Sequence, residues 1–125
     1  MWKVALTDDH TLLRNGLAGL VNSFPNFTVM LEANNGKDLM QKIDPMNLPD
    51  IILVDINMPQ MNGLEMVERL KKNPKTASIP ICMLTTETGS EELLRAKSLG
   101  VNAFLVKPIK KEQILAVVNG LLAAR

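Results

Sequence analysis

Asp8-Asp9, Asp55, Thr85 and Lys107 each stand at or just past the end of a short, almost wholly apolar run. The runs are Val4-Ala5-Leu6, Ile51-Ile52-Leu53-Val54, Ile81-Cys82-Met83-Leu84 and Ala103-Phe104-Leu105-Val106. Carboxylates crowded together repel one another and need a divalent cation or protons to be tolerated. A hard site of oxygen ligands, with places left for water and phosphate, suits Mg²⁺. A single lysine can neutralise a phosphate oxygen opposite the metal, and a threonine hydroxyl can donate to another. Asp55, in the middle of such a set, has the role of a nucleophile that forms an aspartyl phosphate. That chemistry asks the protein only to position and to neutralise.

Each residue also has a plainer explanation. Asp8 and Asp9 could cap the first helix, for which Asp is well suited. Asp55 could open a turn with Asn57, Pro59, Asn62 and Gly63. Thr85 could cap the next helix, although Ser90 fits that place better, and Lys107 could be a solvated charge. His10 is read as a solvated neighbour, because the chain has no second histidine to pair with it at a metal. Taken one at a time these explanations hold. Taken together, for residues at four strand ends, the shared site is the better reading.

The elements that must position these groups follow from periodicity. Val4-Ala5-Leu6 predicts a strand, and Leu13, Leu17, Leu20, Val21 and Phe24 mark one face of a helix beginning near Thr11. Phe27 to Ala33 is rich in strand formers, and Leu39, Met40 and Ile43 then mark a helix from Gly36. Residues 51 to 54 lack any polar side chain, as in a strand covered on both faces. A helix over Gly63 to Lys72 stops before Asn73-Pro74. The fourth strand is placed at Ile79 to Leu84, with Pro80 near its start. A helix from Ser90 to Leu99 is closed by Gly100, a fifth strand spans Ala103 to Val106, and Lys110 to Ala123 forms a last helix. This alternation predicts an α/β fold, a doubly wound parallel sheet with helices on both faces. Its ligand site lies at the carboxyl ends of the strands, where the winding reverses.

Bulk properties bound the function. With 125 residues the chain is sized for one domain, read here as 1–125, and its formal net charge is +1. That balance provides no broad basic field, so neither direct nucleic-acid binding nor attraction to anionic lipid is expected. Cys82, the lone cysteine, reads as a small buried hydrophobe. No apolar stretch approaches the roughly 20 residues of a membrane span, and the start turns acidic too early for a signal-peptide core. A cytoplasmic location is the expectation.

The residues resemble the receiver domain of bacterial two-component response regulators from end to end. Asp8-Asp9, the segment Leu53-Val54-Asp55-Ile56-Asn57-Met58-Pro59, the turn Met61-Asn62-Gly63, Thr85, Phe104 and Lys107-Pro108 match that family in order and spacing. The resemblance implies a flavodoxin-like strand order 2-1-3-4-5. It also implies phosphorylation of Asp55 from the phosphohistidine of a histidine kinase or histidine phosphotransfer protein. Asp9, Asp55 and the Asn57 backbone carbonyl would ligate Mg²⁺ with Asp8 assisting, while Thr85 and Lys107 would contact the phosphoryl oxygens. Thr85 and Phe104 would switch the face of the fourth helix, fifth strand and fifth helix toward a target protein, an output domain or a second copy. The Lys107-Pro108 peptide bond would be cis. Asn62 stands where the family more often has Asp, and Phe104 where relatives have Tyr. The opening Asp8-Asp9-His10 with Arg14 and Gly16-Leu17 is similar to receivers that precede a helix-turn-helix domain, whereas Thr85 to Lys107 is similar to the single-domain chemotaxis type.

Three rival functions make different demands. A flavin or nucleotide binder on this fold wants loops rich in glycine or hydroxyls, and the first loop offers Asp8-Asp9-His10 instead. A Mg²⁺-dependent phosphatase wants a second carboxylate two residues beyond Asp55, where Asn57 stands. A degenerate receiver that only binds proteins requires a missing site residue, and none is missing.

Overall fold

In the computed structural model, residues 2–55, 63–85, 91–107 and 109–123 are described. Among them, β1 (Trp2–Thr7), β2 (Phe27–Ala33), β3 (Ile51–Asp55), β4 (Ile81–Thr85) and β5 (Ala103–Val106) alternate with α1 (Thr11–Asn22), α2 (Gly36–Lys42), α3 (Gly63–Lys72), α4 (Glu91–Ser98) and α5 (Lys111–Ala123). All strand pairs are parallel and the order is β2-β1-β3-β4-β5. The alternating α/β prediction and the doubly wound order both hold. β3 and β4 are buried at every residue, which is why they read as unbroken apolar runs.

Side chains alternate between the two sheet faces. Val4, Leu6, Ile51, Leu53, Cys82 and Leu84 share one core with Ala18 and Val21 of α1 and Ile114 and Val118 of α5. Ala5, Ile52, Val54, Ile81 and Met83 share the other with Leu39 of α2, Leu64, Val67 and Leu70 of α3, and Ala96 of α4. Continuing that alternation by one residue places Asp8, Asp55 and Lys107 on the α1/α5 side, and Thr85 on the side of Met83 and Phe104. The winding reverses between β1 and β3, so Asp8 and Asp55 flank the crevice there.

Several boundaries shift by a residue or two, as at α5, which starts at Lys111 rather than Lys110, and the β4 shift has a specific cause. β4 starts at Ile81, after Pro80, because proline cannot donate to a ladder. Ile79 instead closes a turn through its N–H to the Thr76 carbonyl, 3.1 Å, and is buried there. α4 is described from Glu91, while Ser90 lies outside the described residues. Its C-terminus is a Schellman motif. The Val101 N–H donates to Ala96 O at 3.2 Å and Gly100 N–H to Lys97 O at 3.1 Å, with Gly100 at φ +97°. No helix of the described residues is long and apolar enough to cross a membrane.

Candidate functional site

Local turn chemistry fixes the first loop. Asp8 Oδ1 accepts the His10 backbone N–H at 2.9 Å, an Asx turn that folds the chain back over the end of β1. α1 then starts with His10 as N-cap, without a side-chain capping bond and with no acid in its first turn. Asp8 and Asp9 therefore do not cap the helix, and the plainer account of this pair falls away. Arg14 secures the loop from the other side. Its Nη1 donates to Asp8 O at 2.7 Å and to Asn34 Oδ1 at 2.8 Å, and its Nε lies 3.4 Å from Glu32 Oε1.

Asp8 and Asp55 are both buried, and Lys107 lies between them. Lys107 Nζ donates to Asp8 Oδ2 at 3.3 Å and to Asp55 Oδ2 at 3.2 Å. Both contacts exceed the ~2.7–2.9 Å of a close charge-assisted bond, so the ammonium spans the pair without committing to either. The Lys107 N–H donates to the Thr85 carbonyl at 2.7 Å, which ties the ends of β4 and β5 together. One carboxylate oxygen each from Asp8, Asp9 and Asp55, and a ring nitrogen of His10, lie within 4.8 Å of one another. Asp9 Oδ1 is buried without a hydrogen-bond partner. His10 Nδ1 stands 3.2 Å from that oxygen without hydrogen-bond geometry. A buried carboxylate oxygen with no donor, among hard oxygen ligands, fits a divalent cation such as Mg²⁺.

The structure thus brings together Asp8, Asp9, Asp55 and Lys107 as predicted. Thr85 is buried at the end of β4, and Phe104 is half-buried against the α2/α3/α4 core. The Asn57 carbonyl, Ser90 and the Lys107-Pro108 bond with Pro108 all involve residues outside the described set. Cys82 is as inert as expected, with burial pushing its thiol up to about 12.

Two features add to the sequence reading. His10 is exposed, as read, and an Asx turn sets its ring within 4.8 Å of the acidic oxygens. Leu13, on the apolar face of α1, is 56% exposed, and Leu12 beside it is 84% exposed. Both line a groove of about 640 Å³ with Leu17, Leu20 and Ile109, which ends at Asp8 and Lys107. Leucines at helical spacing mark an apolar face, and periodicity alone does not say whether core or groove meets it.

Comparison with known proteins gives a match to the response regulator receiver domain over residues 4–119. The nitrate/nitrite response regulator protein NarL of Escherichia coli is 34% identical over 116 residues, covering 93% of this chain and 52% of that protein. The chain thus spans about half the length of that regulator. Chemotaxis protein CheY1 of Helicobacter pylori is 32% identical over 121 residues, 94% of this chain and 97% of that protein. Among solved structures, Vibrio cholerae chemotaxis protein CheY4 superposes with a TM-score of 0.88 at 31% identity, covering 98% of this chain and 99% of that one.

Proposed function

The chain belongs to the response regulator receiver domain family, and from that premise we propose that it is the phosphoacceptor of a two-component phosphorelay, with Asp55 as the accepting residue. The observation that carries this reading is the convergence of Asp8, Asp9, Asp55 and Lys107 at the switch point of the sheet. An oxygen of Asp55 bonds to phosphorus as the phosphorus–nitrogen bond of a phosphohistidine breaks. The electron pair leaves with the donor imidazole, which takes up a proton. Mg²⁺ held by Asp8, Asp9, Asp55 and the Asn57 carbonyl would neutralise the charge that collects there. Lys107 then moves from the carboxylate pair to a phosphoryl oxygen, and the Thr85 hydroxyl donates to another. The protein is a signalling domain that accepts and slowly loses its phosphoryl group, not an enzyme that turns over a substrate.

The donor is a histidine kinase or histidine phosphotransfer protein. The α1 groove supports this, because exposed Leu12 and Leu13 offer apolar contact to a partner whose histidine must reach Asp55. The signal leaves through α4, β5 and α5, where Leu94 and Val106 are exposed, toward a target protein, an output domain or a second phosphorylated copy. We assign the work to the cytoplasm, as one receiver domain over 1–125, with no direct contact to nucleic acid.

Beryllofluoride, which imitates a phosphoryl group on a carboxylate, tests the site. With Mg²⁺ it should shift the amide resonances of Asp55, Thr85 and Lys107, and without Mg²⁺ it should shift none. Equal responses in Asp55→Asn would remove Asp55 from the role.

A further inference from the structure

We propose that His10, through Nδ1, is a nitrogen ligand of the divalent cation held by Asp8, Asp9 and Asp55, and that it turns this site toward borderline first-row cations such as Zn²⁺ and Ni²⁺. The inference rests on the receiver reading of the acidic cluster and goes beyond an all-oxygen Mg²⁺ site.

Lys107 and His10 approach the carboxylates at different oxygens. Lys107 takes Oδ2 of Asp8 and Oδ2 of Asp55. His10 Nδ1 approaches the other oxygens, at 3.4 Å from Asp8 Oδ1 and 3.2 Å from Asp9 Oδ1. The Asp9 oxygen is buried and has no hydrogen-bond donor. The four donor atoms lie within 4.8 Å of one another, against the roughly 4.2 Å that opposite ligands span in a sphere of ~2.1 Å radius. A few tenths of an ångström of inward motion closes that difference. His10 can supply it, since the side chain is 62% exposed and makes no capping bond to α1. Its backbone is already anchored by the N–H to Asp8 Oδ1, so the ring starts beside the site.

The consequence is selectivity. Mg²⁺ is hard, prefers oxygen and keeps its waters, so an imidazole adds little to its binding. Zn²⁺ and Ni²⁺ accept imidazole readily and bind mixed nitrogen–oxygen sites more tightly. His10 therefore strengthens Zn²⁺ and Ni²⁺ at this site and leaves Mg²⁺ nearly unchanged.

The chain contains one histidine, so its imidazole ¹⁵N signals are unambiguous. The untagged protein is titrated with Zn²⁺ and with Mg²⁺, and calorimetry is run on the parent and on His10→Ala. One equivalent of Zn²⁺ should move the Nδ1 resonance in the parent, and the same addition should move it far less in Asp9→Asn. The Zn²⁺-to-Mg²⁺ affinity ratio should fall on the order of tenfold in His10→Ala, with Mg²⁺ affinity held within about twofold. Zn²⁺ binding that leaves the imidazole signals or the ratio unchanged would show that His10 only pairs electrostatically with the acids. A Zn²⁺ shift of Nδ1 that persists undiminished in Asp9→Asn would place His10 at a separate site and overturn the proposal. If neither cation binds, the receiver reading of the cluster fails as well.

Discussion

Lys107 stands 3.2 and 3.3 Å from one oxygen each of Asp55 and Asp8, two carboxylates that are themselves buried. Removing one partner of a buried ionic set leaves the other charges uncompensated, typically at ~3–5 kcal/mol. The Lys107 side chain is 18% exposed, so a smaller loss of about 2 kcal/mol is expected for Lys107→Met without divalent cation. Added Mg²⁺ should recover more stability in that variant than in the parent, because it replaces the missing positive charge. Thermal melts with and without Mg²⁺ check both halves of this expectation, and equal gains in the two proteins would contradict it. Asp8, Asp9, Asp55 and Lys107 were legible because each interrupts an apolar run. The tertiary parts of Arg14 and His10 were not. Arg14 works through bonds to Asp8 O and Asn34 Oδ1, and His10 through a turn whose closure depends on one oxygen of Asp8.

α2 shows how a short helix is held beside this loop. Asn35 Oδ1 accepts the Asp38 N–H at 2.8 Å, and Asp38 Oδ2 accepts the Asn34 N–H at 2.9 Å, a reciprocal cap. The Asn34 N–H, then Lys42, hold the Asp38 carboxyl below its ordinary value of 3.8. A depressed carboxyl contributes stability above that ordinary value and loses it as the pH falls through the depressed one. Asp38→Asn should therefore be less stable than the parent at neutral pH, by up to about 1 kcal/mol. The gap should close as acid protonates Asp38 in the parent. Denaturant melts at pH 7 and at pH 2.5 read this directly, and a gap that persists in acid would rule out the ionic part. The end of α4 was legible from Gly100, which takes the left-handed conformation that closes the helix. Proline's exclusion from the β4 ladder moved that start to Ile81, and the exposed leucines of α1 could not be told from core leucines by spacing.

Across the whole molecule, strand alternation divides the work. Asp8, Asp55 and Lys107 belong to the α1/α5 side, whereas Thr85, Val106 and Phe104 belong to the α2/α3/α4 side, with Thr85 paired to Val106 and Met83 to Phe104. On the proposed reading, a signal that passes from Asp55 to α4 crosses from one side of the sheet to the other, and Thr85 is the side chain we propose carries it. A hydroxyl drawn toward a phosphoryl oxygen leaves space beside Phe104, and completing the burial of that half-buried ring stabilises by at most about 1.5–3 kcal/mol. That is enough to bias two states a few kcal/mol apart. Thr85→Ala should still bind beryllofluoride with Mg²⁺ while the amide shifts on α4 and β5 are largely lost, and undiminished shifts there would remove Thr85 from the relay. The alternation of strands and helices was legible because each apolar run ends at a turn or a polar site residue, whereas the strand order came only with the family resemblance and the division of roles between faces needed the register. The most direct measurement is mass spectrometry of the protein after exposure to a small phosphodonor with Mg²⁺, with the modified residue located by fragmentation. The account predicts one phosphoryl group, on Asp55, absent without Mg²⁺ and absent in Asp55→Asn. Phosphate on a serine, a threonine or His10, or undiminished labelling of Asp55→Asn, would contradict it.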